Sequence, residues 1–283
     1  MSTLSILMIA FGVITLITVL SIMNGFHTTF RKKILETNTY HVIVQPHERE
    51  SSLEKRIARL LENDQVLAVI PHYDGEAIVN SPFVTRGAIL KALPGNILSL
   101  DPGFRREIRV TGGAFDLEGK NSIVLGEELA RDAGVRVGDY LTVLTLRKGD
   151  LTASQPQFNL FKVNGFFKTG YWEYDKNMAY ISLESAYRAF GIGEQDLTLG
   201  LKVENLFRAD RVAGWITGFA PASVVYTWMD INRPLFEALQ NEKVGIGFVV
   251  MLIIVSGAFN IIGSLIMTVM DKKREIGILR ALG

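Results

Sequence analysis

The chain has 283 residues, 48% hydrophobic and 21% charged, with a formal net charge of +1, and these averages conceal a strongly segregated sequence. It contains no cysteine, which excludes disulfide frameworks, thiol catalysis and zinc–thiolate sites. Ahead of Asp271, 26 Lys/Arg stand against 27 Asp/Glu, a balance that argues against nucleic acid as a partner.

No charged residue occurs from Met1 to Phe26, nor from Val244 to Met270. About 20 apolar residues suffice for a helix to cross the hydrocarbon core, so residues 1–26 and 244–270 are predicted to be transmembrane helices. The first run lacks a basic leading segment and exceeds the ~7–15 apolar residues of a signal-peptide core, which favours a retained anchor. Phe26, Phe30 and Ile34 then recur at four-residue spacing, predicting a helical stalk over 27–38.

Residues 39–232 read as an external α+β domain. "YHVIVQ" (Tyr40 to Gln45) is strand-like, and Leu53, Ile57, Leu60 and Leu61 share one face of a helix capped by Ser51 or Ser52. Short strands follow in "VLAVI", "GEAIVN" and "TRGAILKAL", each bounded by Pro, Gly, Asn or Asp. From Asn121 to Leu146 the pattern is strand, short helix stopped by Gly134, a Gly138-Asp139 turn, and strand. "FNLFKVNGFFKTG", "NMAYISL" and "LTLGLKV" add strands. "LESAYRAFG" and "FRADRVAGWITGF" add helices, and "VVYTWMDI" closes the domain. The irregular alternation predicts two small α+β lobes rather than one parallel sheet. Residues 233–243 lead into the second span, and 271–283 form an amphipathic tail.

Lys272, Lys273, Arg274 and Arg280 follow the second span, against Arg233 and Lys243 before it. That asymmetry favours a cytoplasmic tail and an external domain. Arg31, Lys32 and Lys33 after the first span pull the other way, although long domains translocate largely regardless of such charges.

Catalytic patterns are missing. Gly113 and Gly119 enclose five residues, and Asn121 follows Lys120, so "GGAFDLEGKN" fails the spacing of a phosphate loop and reads as a β-turn. His47-Glu48 has no second histidine four residues on, and His27, His41, His47 and His72 show no ligand spacing. Gly191 and Gly193 read as a helix stop and turn. No cofactor or metal is expected, and the residues do not read as an enzyme.

"MDKKREIGILRALG" (Met270 to Gly283) resembles the segment after the second transmembrane helix of MacB/FtsX-type ABC transporter permeases. "ITLITVLSIMNGF" (Ile14 to Phe26), "LFEALQNEK" and "SGAFNIIGSLIMTVMDKKREIGILR" are similar to the lipoprotein-releasing branch, the LolC/LolE family. "SIVLGEELARDAGVRVGDYLTV" resembles the MacB-like periplasmic core domain. The implied protein is an α+β membrane protein in which two spans flank a two-lobed periplasmic domain. The family has four spans, so the resemblance implies a fragment that stops in the coupling helix.

By the same resemblance the tail is a cytoplasmic coupling helix docking on a separate ATPase, with Arg274, Glu275, Ile276, Gly277, Leu279 and Arg280 at the contact. Ile276, Leu279 and Gly283 lie along one helical face, with Ile278 and Leu282 beside it, and an exposed apolar face needs a partner. Substrate acyl chains are expected between the spans at Ile22, Met23, Phe26, Phe248 and Val249. A loop at Ala153, Ser154, Gln155 and Pro156, between the strands ending at Leu146 and starting at Phe158, is expected to grip a periplasmic chaperone. The remaining implied partners are a second permease subunit, a lipoprotein substrate and membrane lipid, in a bacterial inner membrane. A permease for efflux or cell-division control stays open as an alternative, as does a two-span sensor with an external ligand domain.

Overall fold

The computed structural model describes residues 10–22, 25, 40–45, 52–119, 121–147, 156–281 and 283. The chain divides into two compact units, residues 1–31 with 232–283 and residues 32–231.

Among its described residues the first unit contains two helices, α1 (Ala10–Ile22) and α10 (Arg233–Ala281). Within α10, Val244–Ala281 is, among the described residues, the one helix long and apolar enough to cross a membrane, while α1 is apolar but shorter. At 1.5 Å rise per residue α10 is ~74 Å long, more than twice the ~30 Å of a bilayer core. The expected division of 233–243, 244–270 and 271–283 into stalk, span and coupling helix is not visible as breaks, because one helix runs through all three. No proline lies between Leu235 and Gly283 to interrupt it. Gly283 lies beyond the helix at φ 108°, so it does not extend the face of Ile276 and Leu279. Thr15 and Thr18 donate their hydroxyls to the carbonyls of Phe11 and Ile14 at 2.8 Å, and Thr268 donates to Ser264 at 2.9 Å. These bonds satisfy three threonine hydroxyls on the apolar helices.

The second unit carries ten strands and eight short α-helices among its described residues. In chain order these are β1 (Val42–Gln45), α2 (Leu53–Leu60), β2 (Val66–Asn80), β3 (Thr85–Leu93), α3 (Ile97–Leu100) and α4 (Pro102–Glu107). Next come β4 (Arg109–Gly113), β5 (Ser122–Gly126), α5 (Glu127–Ala133), β6 (Tyr140–Thr145), β7 (Gln157–Lys168) and α6 (Trp172–Asn177). Last are β8 (Met178–Ser182), α7 (Leu183–Phe190), β9 (Thr198–Val203), α8 (Ala209–Phe219), β10 (Val224–Thr227) and α9 (Trp228–Ile231).

The expected separate strands "VLAVI" and "GEAIVN" are one 15-residue strand, β2, continuous through Pro71 and Gly75. Both punctuating residues have local reasons to sit mid-strand. Around Pro71 the strand pairs with β9 alone, so the missing N–H costs no bond on a second edge. At Gly75 the Phe190 ring of α7 occupies the space a Cβ would need.

This long strand joins the two parts of the domain. Its first half joins β9, β1 and β10, and its second half joins β3 and β6. From there the pairings close a ring, β2-β3-β8-β5-β7-β6 and back to β2, with parallel contacts at β3–β8 and β5–β7. Both parts are therefore stapled into one unit by a shared strand. Alternation along β5 divides the core: Ile123 and Leu125 join a cluster with Leu90, Val143 and Phe161. Val124 joins another with Tyr40, Phe104, Phe167 and Tyr180. Each fully buried Leu, Ile or Phe contributes ~1.5–3 kcal/mol by removal of apolar surface from water.

Where turn chemistry is explicit, the expected elements form as written. Gly134 closes α5 in the left-handed conformation (φ 65°), and Gly191 does the same for α7. Ser182 caps α7 by accepting from the Ser185 N–H at 3.1 Å. Ser52 is the N-cap of α2, without a side-chain bond.

Candidate functional site

Three surfaces coincide with the residues singled out in the sequence. Within the first unit, α1 and α10 leave an apolar groove of about 650 Å³. Phe11, Leu16 and Val19 line it from α1, and Ile246, Val249 and Ile253 from α10. Gly12 and Gly245 also line it, and small residues of this kind let helix backbones approach closely. Of the expected acyl-contact residues, Val249 lines this groove; Ile22 and Phe248 are exposed at 68% and 57% but do not line it. Met23 and Phe26 lie outside the described residues. The lining residues Phe11, Leu16 and Ile246 went unnoticed because every position of an uncharged run is apolar, so periodicity singles out no face.

The second surface is the end of α10. Ile276, Ile278 and Leu279 are all more than half exposed. Lys272 and Glu275 pair at 2.6 Å one turn earlier. Gly277 has open space around its Cα, so nothing within this chain requires a glycine there. Arg280 sits in the last turn, where its charge complements the helix dipole. The side chain of Arg274 lies outside the described residues.

The third surface is the β6–β7 hairpin. Its strands pair from Tyr140↔Lys162 to Thr145↔Gln157, so the ends of the connecting segment are held close together. Thr145 donates its hydroxyl to the Ala189 carbonyl at 2.5 Å and accepts from Asn159 Nδ2 at 3.0 Å, tying the base to α7. Ala153, Ser154 and Gln155 lie outside the described residues. Pro156 borders a recess of about 640 Å³ at the hairpin base, together with Ile78, Ile89, Leu144 and Leu146.

Buried ionisable groups in the second unit are structural in their geometry. Lys91 Nζ lies 3.3 Å from Asp74 Oδ1 and 5.5 Å from the Tyr40 ring centre. Lys202 Nζ lies 3.6 Å from Asp101 Oδ2 and 5.7 Å from the same ring. His72 packs on Tyr40 at 4.6 Å between ring centres. Burial, with the Lys91 charge, lowers the His72 imidazole to about 4, so it is neutral at physiological pH. Desolvation raises the Asp74 carboxyl, and Lys91 and His72 more than reverse this, leaving it below the usual range. Burial also drives the Tyr40 and Tyr180 phenols well above their ordinary values. None of these groups forms a nucleophile–base pair. Among the described residues no cluster of three His, Asp or Glu side chains is placed to hold a metal. The segment after Gly113 leads into strand β5 and not a helix, so it lacks the helix N-terminus on which a phosphate loop depends.

Residues 2–217 match the MacB-like periplasmic core domain family. The chain is 30% identical over 297 residues to the lipoprotein-releasing system transmembrane protein LolC of Neisseria meningitidis, covering 99% of this chain and 68% of that protein. The chain belongs to the LolC/LolE family of lipoprotein-releasing transmembrane proteins. LolE of Haemophilus influenzae is 25% identical over 291 residues, covering 97% of this chain and 67% of its own length. Among solved structures, the periplasmic region of MacB from Actinobacillus actinomycetemcomitans aligns with a TM-score of 0.45 at 11% identity, covering 71% of this chain and 95% of that one. Membership of the LolC/LolE family makes this a membrane protein with a MacB-like periplasmic domain.

Proposed function

We propose that the chain is a permease subunit of an ABC transporter that releases lipoproteins from the bacterial inner membrane to a periplasmic chaperone. Similarity to LolC over nearly its whole length is the observation that carries this reading. The chain supplies no nucleotide chemistry of its own in this scheme; ATP is hydrolysed on a separate subunit that docks on Ile276, Leu279 and their neighbours. α1 and the Val244–Met270 part of α10 are the two spans, and the periplasmic unit lies between them in the chain. A closing motion of the ATPase would therefore reach the external domain through α10, whose unbroken length suits a lever.

In this scheme the apolar groove between the spans accepts substrate acyl chains, and Val249 is its wall on α10. The β6–β7 hairpin, with Pro156 at its base, meets the chaperone, and the adjoining apolar recess offers a passing acyl chain shelter from water. A second permease subunit completes the path. The test is reconstitution into proteoliposomes with the ATPase and the cognate second permease, followed by ATP-dependent transfer of a labelled lipoprotein to soluble chaperone. ATP hydrolysis without transfer would overturn the assignment to lipoprotein release.

A further inference from the structure

A second, smaller pocket lies in the periplasmic unit, away from the groove and the hairpin. It is a cleft of about 250 Å³ between α2 and α8, floored by β1 and β9. Three cations, Lys55, Arg56 and Arg59, line it from α2, and among the described residues the lining includes no carboxylate. Leu60, Ile216 and Phe219 form apolar walls.

Among the described residues these cations have few partners. Arg56 Nη2 donates to the Glu194 carbonyl at 3.0 Å, but its Nε and Nη1 are enclosed and have no hydrogen-bond partner among the described residues. Buried unpaired donors of this kind are uncommon and costly, the more so on a charged group. Arg59 stacks its guanidinium 4.4 Å from the Phe219 ring centre. Among the described residues neither Lys55 nor Arg59 has an ion-pair partner. Spacings of three and four residues bring the charges together on one helical face, where like charges repel. A bound oxyanion between Lys55 and Arg59 removes that repulsion. Guanidinium forks match phosphate and carboxylate oxygens in geometry as well as charge.

We propose that the α2–α8 cleft is a binding site for a phosphate-type oxyanion, with the apolar walls accommodating a short hydrocarbon shoulder beside the charged head. Its volume is just under the ~300–1,000 Å³ of common small-molecule sites, which suits a headgroup and not a full acyl chain. Lipid headgroups and free phosphate share this chemistry. The site does not depend on the transport reading.

The experiment is titration calorimetry on the full chain in neutral detergent, with inorganic phosphate in one arm and dihexanoyl phosphatidate, below its micelle threshold, in the other. Saturable binding is expected, weakened about tenfold by Arg56→Gln and at least severalfold by Lys55→Gln or Arg59→Gln. Arg211→Gln, an exposed change on α8 outside the cleft, should leave it unaltered. Phosphatidate binding tenfold or more tighter than phosphate identifies a lipid headgroup as the occupant; equal affinities identify a free oxyanion. The proposal is overturned if neither probe binds saturably, or if the Arg211 variant weakens binding as much as the cleft variants do. Because Lys55 and Arg59 are exposed, their variants keep the test decisive even where Arg56→Gln folds poorly.

Discussion

The buried pair Lys202–Asp101 offers a direct test of how the periplasmic unit is held together. Lys202 lies on β9, in the part of the sheet built on β1 and β10. Asp101 caps α4, accepting the Phe104 N–H at 3.0 Å. Their side chains are 7% and 4% exposed, with the charged atoms 3.6 Å apart. At that separation, and an effective dielectric constant of about 20, the attraction is ~4–5 kcal/mol, much of it offset by the desolvation of both ions. Asp101→Asn keeps a side-chain oxygen for the cap but removes the carboxylate charge facing a buried ammonium, and the expected destabilisation is ~3 kcal/mol. Lys202→Met removes the charge from the other side and leaves Asp101 unpaired, at a similar cost. The double variant leaves no buried charge and is expected to recover most of the loss, finishing within ~1 kcal/mol of the parent. Denaturant unfolding of the four proteins in neutral detergent, followed by tryptophan fluorescence, supplies the cycle; Trp228, buried beside β10, reports on this part of the unit. If the double variant is destabilised by the sum of the single losses, the two charges are not coupled and the reasoning fails.

His72 makes stability pH-dependent. Its folded value of about 4 lies below the ordinary 6.5, so the unfolded chain binds the extra proton. The stabilisation is complete above pH ~6.5 and is lost as the pH falls toward 4, by up to ~3 kcal/mol; unfolding at pH 7.5 and pH 5 should differ, and His72→Gln should flatten the difference. Ile276→Asp or Leu279→Asp is expected to abolish co-purification with the ATPase, since either would bury a charge at ~2–3 kcal/mol or more; stoichiometric recovery would remove the coupling assignment. Gly245→Phe, which fills the groove between α1 and α10, is expected to cut lipoprotein transfer at least tenfold with ATPase binding retained. Deleting Ala153 to Pro156 should eliminate chaperone crosslinking without changing the unfolding midpoint, and unchanged crosslinking would place the chaperone contact elsewhere.

The legible parts of the fold are those in which local chemistry has a single solution. Gly134 and Gly191 stop α5 and α7 because a left-handed residue ends a helix wherever it falls. β2 was illegible for the opposite reason. Pro71 and Gly75 carry the marks of punctuation, and only the lone neighbour β9 and the intruding Phe190 ring make them strand residues. Those are tertiary facts with no local trace. The same distinction separates the surfaces: the tail of α10 is marked by charge around an apolar face, whereas the groove lining in two uncharged runs carries no mark. The α2–α8 cleft was missed because Lys55, Arg56 and Arg59 look like the solvated face of an ordinary amphipathic helix until α8 closes over them.

The buried charges and the long strand bear on one mechanical question, namely why this domain should move as a body. A two-lobed domain joined by a linker would absorb an applied force at the joint. Here β2 runs unbroken through both parts, pairing with β9 up to His72 and with β3 from Tyr73, so no linker separates them. Tyr40 reinforces it from the side, with Lys91 and Lys202 over its ring and each lysine paired to a carboxylate. Lys202–Asp101, buried on both sides, contributes little net stability, but breaking it is costly. A unit built in this way bends little internally, the property that the proposed coupling through α10 would require.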